Sequence, residues 1–559
     1  MSDFLYASVP QPAGRLRALL ERRLRPLDTA YEERHGSWGS VAVARLPFDP
    51  PIVSDDGQSV RLTLGREGGP SASLLLDTTA GQGSVRTDRM AFVPLFWSDG
   101  GDAGLVIGSH VDAVAEAAGR LDAFDAVSAA DCVAHGSIVF PHTMYAQVWQ
   151  LAPATERRFR VPHGWDDTGR EYWTPVERCP FASLDDAAAA LRAAFVAEVE
   201  KGLQGVGSAG MLLSAGEDSR AVLGAVPRDI RVDAVTFADW ESREVEIARR
   251  IAHAYGASFR VGIREFAHYL DGLEPIASFV GSQHQYIDVH AWRLHRELAL
   301  DRMPVVLGGF SSDVLLKGYY SPARARRSQP QKRHPGEHDP LRVAPVPGVR
   351  RELIDAALER RERRRTELRT IRPESATEWM RIWPFGVRKP AAAFVGHRRL
   401  FAAFEPFMTD SIVELAASVP MEWKLDRRLF SQAMKPLLRP SRFIPHGRNT
   451  FPYFGRYASL GLGAGLALGR FAHDALRGRL GRHQGPWPDW ERLVESERFA
   501  ELLRRHPIAD ARAAAIFEAD SAGAIERVVR ERWSPKRQLM LVQLAYATGV
   551  HATTTTEIE

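Results

Sequence analysis

Over the first third of the chain, hydrophobic and polar positions alternate in short runs. Ser40–Ala44, Val60–Leu64, Ser73–Leu76 and Leu105–Gly108 read as strands, separated by Gly, Asp and Pro. Helical spacing occurs there mainly in Ala13–Leu24 and Val111–Ala118. The pattern predicts a β-rich layered unit over residues 1–175. A break follows at Tyr172–Pro180, which carries two prolines. The period then changes. Leu184, Ala188, Leu191, Ala194, Phe195 and Val199 recur at helical spacing behind Ser183, a suitable N-cap, so Ser183–Leu203 is expected to be a helix. Strand-like runs Gly210–Leu213, Val232–Ala238, Ser258–Ile263 and Met303–Gly309 follow, with helical stretches from about Ser219 and over Glu241–Tyr255. This alternation predicts a parallel sheet covered by helices, within residues 176–559. The chain is therefore read as an α/β protein, its remainder from about Arg350 mainly helical. Residues 321–347, polar and rich in Pro, Arg and His, are expected to form a mobile loop.

Composition narrows the picture. A formal charge of +4 over 559 residues is weak support for nucleic-acid binding, and none is expected. The basic run Arg360–Arg365 is interleaved with Glu352, Glu359, Glu362 and Glu367, as on a solvated helix with ion-paired faces. No stretch approaches the ~18 apolar residues of a membrane helix; Tyr457–Leu468 is short and broken by glycine. The N-terminus lacks a basic start followed by an apolar core, so a cytoplasmic location is expected. Cys132 and Cys179 are too few for a disulfide framework, and each is expected to be a small buried hydrophobe.

The chemistry concentrates in Met211–Arg220, MLLSAGEDSR. A strand runs into Ser214, Ala215 and Gly216, and a helix begins. Small residues let backbone N–H groups approach phosphate oxygens, and a helix N-terminus adds partial positive charge. Ser214 and Ser219 can donate hydroxyls. Asp218 makes sense beside phosphate if it holds Mg²⁺. The bland alternative is a Ser/Asp-rich turn with Ser214 or Asp218 as a cap. No Walker motif is present, and Gly461–Gly465 lacks the strand a dinucleotide fingerprint requires. A second segment, Val305–Tyr320 (VVLGGFSSDVLLKGYY), lies at the end of a later strand. Ligands in open α/β sheets bind outside the carboxyl ends of strands. Asp313 is therefore expected to face Asp218 across a crevice, although alone it reads as a helix cap.

Together these segments resemble the asparagine synthetase family. Its SGGxDS pyrophosphate loop stands here as SAGEDS (Ser214–Ser219), and its SGxGxDExxxGY segment as GGFSSDVLLKGY (Gly308–Tyr319). Glu244 and Ala248 match an acidic residue and alanine of the family, Pro406–Asp410 its PFLD segment, and Leu437–Pro452 the stretch ending in KxGFP. Thr87-Asp88-Arg89, Pro94–Trp97 and Leu105–Ser109 resemble the RDxxGxxPLYY region of its N-terminal domain, and Val148–Arg160 its RxLxPG turn. The resemblance implies an N-terminal-nucleophile-like layered domain before an ATP-pyrophosphatase domain. It implies that Leu213, Ser214, Gly216, Asp218, Ser219, Gly308 and Gly309 bind ATP, that Asp218 and Asp313 hold Mg²⁺, and that Arg448 stabilises developing charge.

The sequence also departs from the family. Where a cysteine nucleophile would follow Met1 stands Ser2, and a hydroxyl is far less ionised than a thiol. The acidic residue after the paired small residues is Phe310, the DE pair is Asp313-Val314, and the late lysine is Arg448. Loss of the cysteine is typical of ring-closing members such as β-lactam synthetases and lasso-peptide cyclases. The expectation is an AMP-forming amide ligase acting on a small-molecule or peptide carboxylate, with ring closure preferred and a precursor peptide or carrier as partner. Two alternatives stay open: an asparagine synthetase using ammonia or glutamine, and a catalytically degenerate binding subunit. A sulfur-transfer enzyme would need paired cysteines.

Overall fold

The computed structural model describes residues 2–48, 52–66, 68–166, 168–321, 341, 346–387, 391–447, 450–454, 487–519 and 521–549. The expectations for the 321–347 loop (apart from Ser321, Leu341, Val346 and Pro347), for Arg448, for Tyr457–Leu468 and for Gly461–Gly465 lie outside the described residues.

The first half runs β1 (Asp3–Ala7), α1 (Arg15–Leu24), β2 (Ala30–Gly36), β3 (Gly39–Arg45), β4 (Ile52–Asp55), β5 (Ser59–Gly65), β6 (Ser71–Asp77), β7 (Gln82–Thr87), β8 (Phe96–Ser98), β9 (Val106–Gly108), α2 (Val111–Ala117), α3 (Ala126–His135), β10 (Trp149–Gln150), β11 (Thr155–Arg160), β12 (Gly164–Trp165) and β13 (Arg170–Glu171). One sheet has the order β10-β8-β9-β1-β3-β2, the other β12-β11-β7-β6-β5-β4 with β13 beside β11. All their pairings are antiparallel. Strand period explains the layering. On one face of β1 and β3, Phe4, Tyr6, Val41 and Val43 pack with Val60, Leu62, Leu74 and Leu76 of the second sheet. On the other face, Leu5, Ala7, Ala42 and Ala44 pack with Leu16, Leu20, Val111 and Val114 of the helices. The outward face of the second sheet carries Arg61, Thr63, Ser73 and Arg86, none of them fully buried. β1 escapes the alternation rule because both its faces are covered, so DFLYA is uniformly buried.

In the second half α4 (Leu184–Gly202) is capped by the Ser183 side chain, which accepts from the Asp186 amide. β14 (Ser208–Leu212), α5 (Glu217–Ala225), β15 (Arg231–Ala238), α6 (Arg243–Ala254), β16 (Ser258–Ile263), β17 (Val306–Leu307) and β18 (Ala403–Phe404) follow. The strands form a five-stranded sheet in the order β16-β15-β14-β17-β18, and every pairing is parallel. Pro304, which has no N–H to give, and Gly308-Gly309 bound β17, which is shorter than the Met303–Gly309 run suggests.

Two expectations require correction. Cys179 is exposed, whereas Cys132 is buried. The basic run lies on the helix Arg351–Arg369, but that helix is not simply solvated. Arg361 is buried and bonds Asp131 at 2.6 Å and the Ser137 carbonyl at 2.9 Å, while Arg360 bonds Asp125 at 2.7 Å. These arginines pin the helix to α3 of the first half. Ion pairs along the helix also form, Arg364 with Glu367 and Arg365 with Glu362.

Candidate active site

The order of the parallel sheet reverses between β14 and β17: β15 and β16 extend from β14 on one side, β17 and β18 on the other. The two loops leaving these neighbours part at that point and open a crevice at the carboxyl ends of the strands. One loop is Ser214–Gly216, leading into α5. The other is Gly308–Ser311, leading into the helix Ser312–Leu316.

Small residues shape the first loop. The Ser214 hydroxyl accepts from the Gly216 amide at 3.1 Å, and the Ser219 hydroxyl accepts from the Ser214 amide at 3.1 Å. The Ala215 amide donates to Glu244 Oε1 at 2.7 Å. Ser214 is exposed. Leu213 serves the fold: its amide donates to Val235, its carbonyl accepts from Thr236, and its side chain is buried. Gly309 seats the second loop against the first. A Cβ there would lie 2.9 Å from the Ser219 nitrogen and 3.1 Å from Asp218 Cβ. A Cβ on Gly308 would meet Glu405 Oε1 at 2.1 Å.

Asp218 pairs with Lys317 and lies against Gly309, and between these two residues the same segment carries Asp313 in the first turn of its helix. The fold thus brings the sequence positions of both aspartates to one crevice. Both offer the oxygen donors magnesium prefers, so these residues fit the ion the resemblance implies.

Asp218 also forms an ion pair with Lys317, a residue within the quoted motif that sequence reasoning passed over. Lys317 Nζ lies 2.9 Å from Glu217 Oε1, and Arg427 reaches Glu217 Oε2 at 2.8 Å. Burial works against the Lys317 charge, but Asp218 and Glu217 outweigh it and hold its pKa above the ordinary lysine value. Burial likewise opposes the Glu217 charge, and Lys317 and Arg427 override it, leaving Glu217 more acidic than usual. A Lys inside an otherwise apolar DVLLKG stretch was the available signal.

Arg220 was also missed as a site residue. Fully buried, it donates to the carbonyls of Ala215 (2.9 Å), Ile444 (2.7 Å) and Pro445 (2.7 Å), and so ties the segment leading to Arg448 onto the pyrophosphate-type loop. A third omission is Glu405, at the carboxyl end of β18. It is buried, and its carboxylate accepts from the Phe310 amide at 2.8 Å. It also lines a cavity of 120 Å³ with Arg66, Glu198, Lys201 and Thr409. Burial pushes its pKa up to about 8, opposed only by that one hydrogen bond.

The departures have structural places. The Phe310 ring packs edge-on to Phe385 with centroids 5.9 Å apart, and Val314 is buried in the core. Ser2 is buried at 1% exposure; its hydroxyl accepts from the Leu46 amide at 3.1 Å, and its neighbour Asp3 pairs with Arg398 and Arg399. A nucleophile needs an open approach, which this serine lacks.

The family model described as asparagine synthase matches residues 190–515, more than half of the chain. A solved structure described as the allosteric regulatory enzyme of purine biosynthesis is similar at 10% identity and a TM-score of 0.22, covering 47% of this chain and 80% of that one. A likeness that weak carries no argument. Among curated proteins none matches.

Proposed function

Because the chain belongs to the asparagine synthase family, and so to a class of ATP-dependent amide-forming ligases, we propose that it joins a carboxylate to an amine through an acyl-adenylate. The observation that carries this reading is the seating of Gly309 on Asp218–Ser219 at the reversal of the sheet, which brings the two loops together at the carboxyl ends of the strands. A carboxylate does not acylate amines at neutral pH, because its oxygen is a poor leaving group. In the proposed first step a carboxylate oxygen bonds to the α-phosphorus of ATP, and the bond to the β-phosphate oxygen breaks. Ser214, Gly216 and Ser219 cradle the departing pyrophosphate with hydroxyl and backbone N–H groups. Magnesium held by Asp218 and Asp313 would supply charge neutralisation for the phosphates. Arg448 is assigned by resemblance to the developing charge, which an arginine can stabilise without trading a proton. In the second step the amine nitrogen bonds to the acyl carbon, AMP leaves, and the nitrogen's proton passes to a base.

The second step favours a tethered amine. Phe310 accepts no proton, and Glu217 is already paired with two cations. General-base help is worth roughly 10²–10⁴-fold, whereas holding the amine beside the adenylate gains an effective molarity of up to about 10⁵–10⁸ M. The buried Ser2 argues against ammonia released from glutamine. Ring closure within one substrate, of the macrolactam or lasso-peptide type, follows as the preferred form, with a peptide precursor as the substrate class. We also place the protein in the cytoplasm. A second reading, a binding subunit without ligase activity, is favoured by the ammonium already bound to Asp218.

ATP–pyrophosphate exchange tests the proposal. Purified protein is given ATP, Mg²⁺ and a panel of peptides carrying Asp or Glu side-chain carboxylates. Exchange that is abolished in a folded Asp218→Asn variant is expected. Exchange by that variant at the wild-type rate would show the loop to be misassigned. Rapid asparagine formation from aspartate and ammonium would replace ring closure with ordinary synthetase chemistry.

A further inference from the structure

The pyrophosphate-type loop begins its helix with two acids, Glu217 and Asp218. Acids in a first turn suit the helix dipole, yet they face the place where a polyanion must bind. Two unpaired carboxylates there would repel it. The fold answers with two cations, Lys317 on both acids and Arg427 on Glu217. The four charges sum to zero before any metal arrives.

The two cations are not equivalent. The Arg427 side chain is 37% exposed and, among the described residues, forms an ion pair with Glu217 only. Lys317 is 7% exposed, its ammonium lying 4.1 Å from the centre of the Phe430 ring and directly bonded to Asp218. Of Glu217, Asp218 and Lys317, only Asp218 is appreciably exposed, at 27%. A phosphate oxygen approaching Asp218 from the crevice therefore meets the Lys317 ammonium next. An ammonium has three donors, and among the described residues two are engaged by Glu217 and Asp218. The Phe430 ring is the remaining neighbour the ammonium meets, a weak partner that a phosphate oxygen would outcompete.

We propose that Lys317 is a phosphate-binding residue of the loop, a fixed cation that contacts the terminal phosphates of ATP and the departing pyrophosphate and reduces the magnesium the site requires. The inference rests on the assignment of the loop made under the proposed function. It also turns the ion pair that favours a non-catalytic subunit into part of the binding machinery.

The test uses the full chain and inorganic pyrophosphate, measured by calorimetry across a magnesium series. Lys317→Met is expected to weaken pyrophosphate binding roughly 10- to 100-fold, the value of a hydrogen bond to a charged group, and to shift the magnesium midpoint upward. Lys317→Arg is expected to retain most of the affinity. If Lys317→Met leaves Glu217 too costly to bury and the protein fails to fold, the double variant Lys317→Met/Glu217→Gln removes one charge of each sign and carries the same expectation. A folded variant without Lys317 that binds pyrophosphate with wild-type affinity and magnesium dependence overturns the inference, and a lowered melting temperature alone does not rescue it. Wild-type protein that binds no pyrophosphate at any magnesium concentration would instead sink the loop assignment itself.

Discussion

At Gly309 a single hydrogen in place of a side chain decides whether two loops meet. A methyl there would press on the Ser219 nitrogen at 2.9 Å and on Asp218 Cβ at 3.1 Å, and backbone cannot yield as a flexible side chain can. Gly309→Ala is expected to cost about 1–3 kcal/mol of stability through overpacking and to reduce ATP affinity at least tenfold. Calorimetry of the purified variant checks both, and an unchanged affinity would detach this glycine from the site. Glu405 makes a different kind of prediction. Burial lifts its folded pKa to about 8, above the ordinary carboxyl value of 4.5. Its contribution to stability is therefore fully present below pH 4.5 and is lost as pH rises through 8, at no more than ~1.4 kcal/mol per pH unit. Glu405→Gln removes the charge and can still accept from the Phe310 amide. The variant should match wild type near pH 4.5 and melt higher than wild type at pH 8.5. Equal melting curves across that range would show that Glu405 titrates normally.

Among the elements, α4 carries the clearest link from pattern to packing. Ala187, Ala188, Leu191, Phe195 and Val199 are its buried residues, and the Phe195 ring stacks on Phe407 with centroids 4.5 Å apart. Phe407 belongs to the Pro406–Asp410 segment that resembles the family's PFLD. Phe195→Ala should cost about 3–5 kcal/mol, visible as a fall in the denaturation midpoint without a change in slope. A loss below about 1 kcal/mol would mean that the helix repacks. α4, α6 and the strands of the parallel sheet were readable because their apolar positions keep one period. β1 and α3 were not. DFLYA is buried on both faces and shows no alternation. Ala126–His135 is short and Ala-rich, and its start is set by Asp125, which accepts from the Val127 amide.

On the scale of the whole molecule, the two halves share cores and charges. Phe4 and Val43 lie in the same apolar cluster as Leu191 and Phe407, and Arg89 reaches from the first half to Asp410 and Glu414 of the second. The Arg361–Asp131 pair is the most deeply buried of the contacts between α3 and the basic helix, with side chains 6% and 1% exposed. Burial opposes the Asp131 charge, but Arg361 and His135 win and lower its pKa to about 2. The stability it confers is present above pH 3.8 and is lost as pH falls through 2. Arg361→Ala strands a buried carboxylate and should cost about 3–5 kcal/mol, most of it at neutral pH. A variant that melts within 1 °C of wild type at pH 7 would contradict this. By itself the sequence determined the α/β class, a β-rich first part followed by strand–helix alternation, and the candidate loops at Ser214–Ser219 and Gly308–Asp313. Those features are written in local period, capping and small-residue spacing. Only the tertiary structure decided that the sheet reverses between β14 and β17, that Lys317 and Arg427 neutralise the acids of the loop, that Glu405 lies buried beside Phe310, and that Ser2 is closed off. Each of these depends on residues far apart in the chain, and long-range burial and charge pairing leave no periodic trace in sequence.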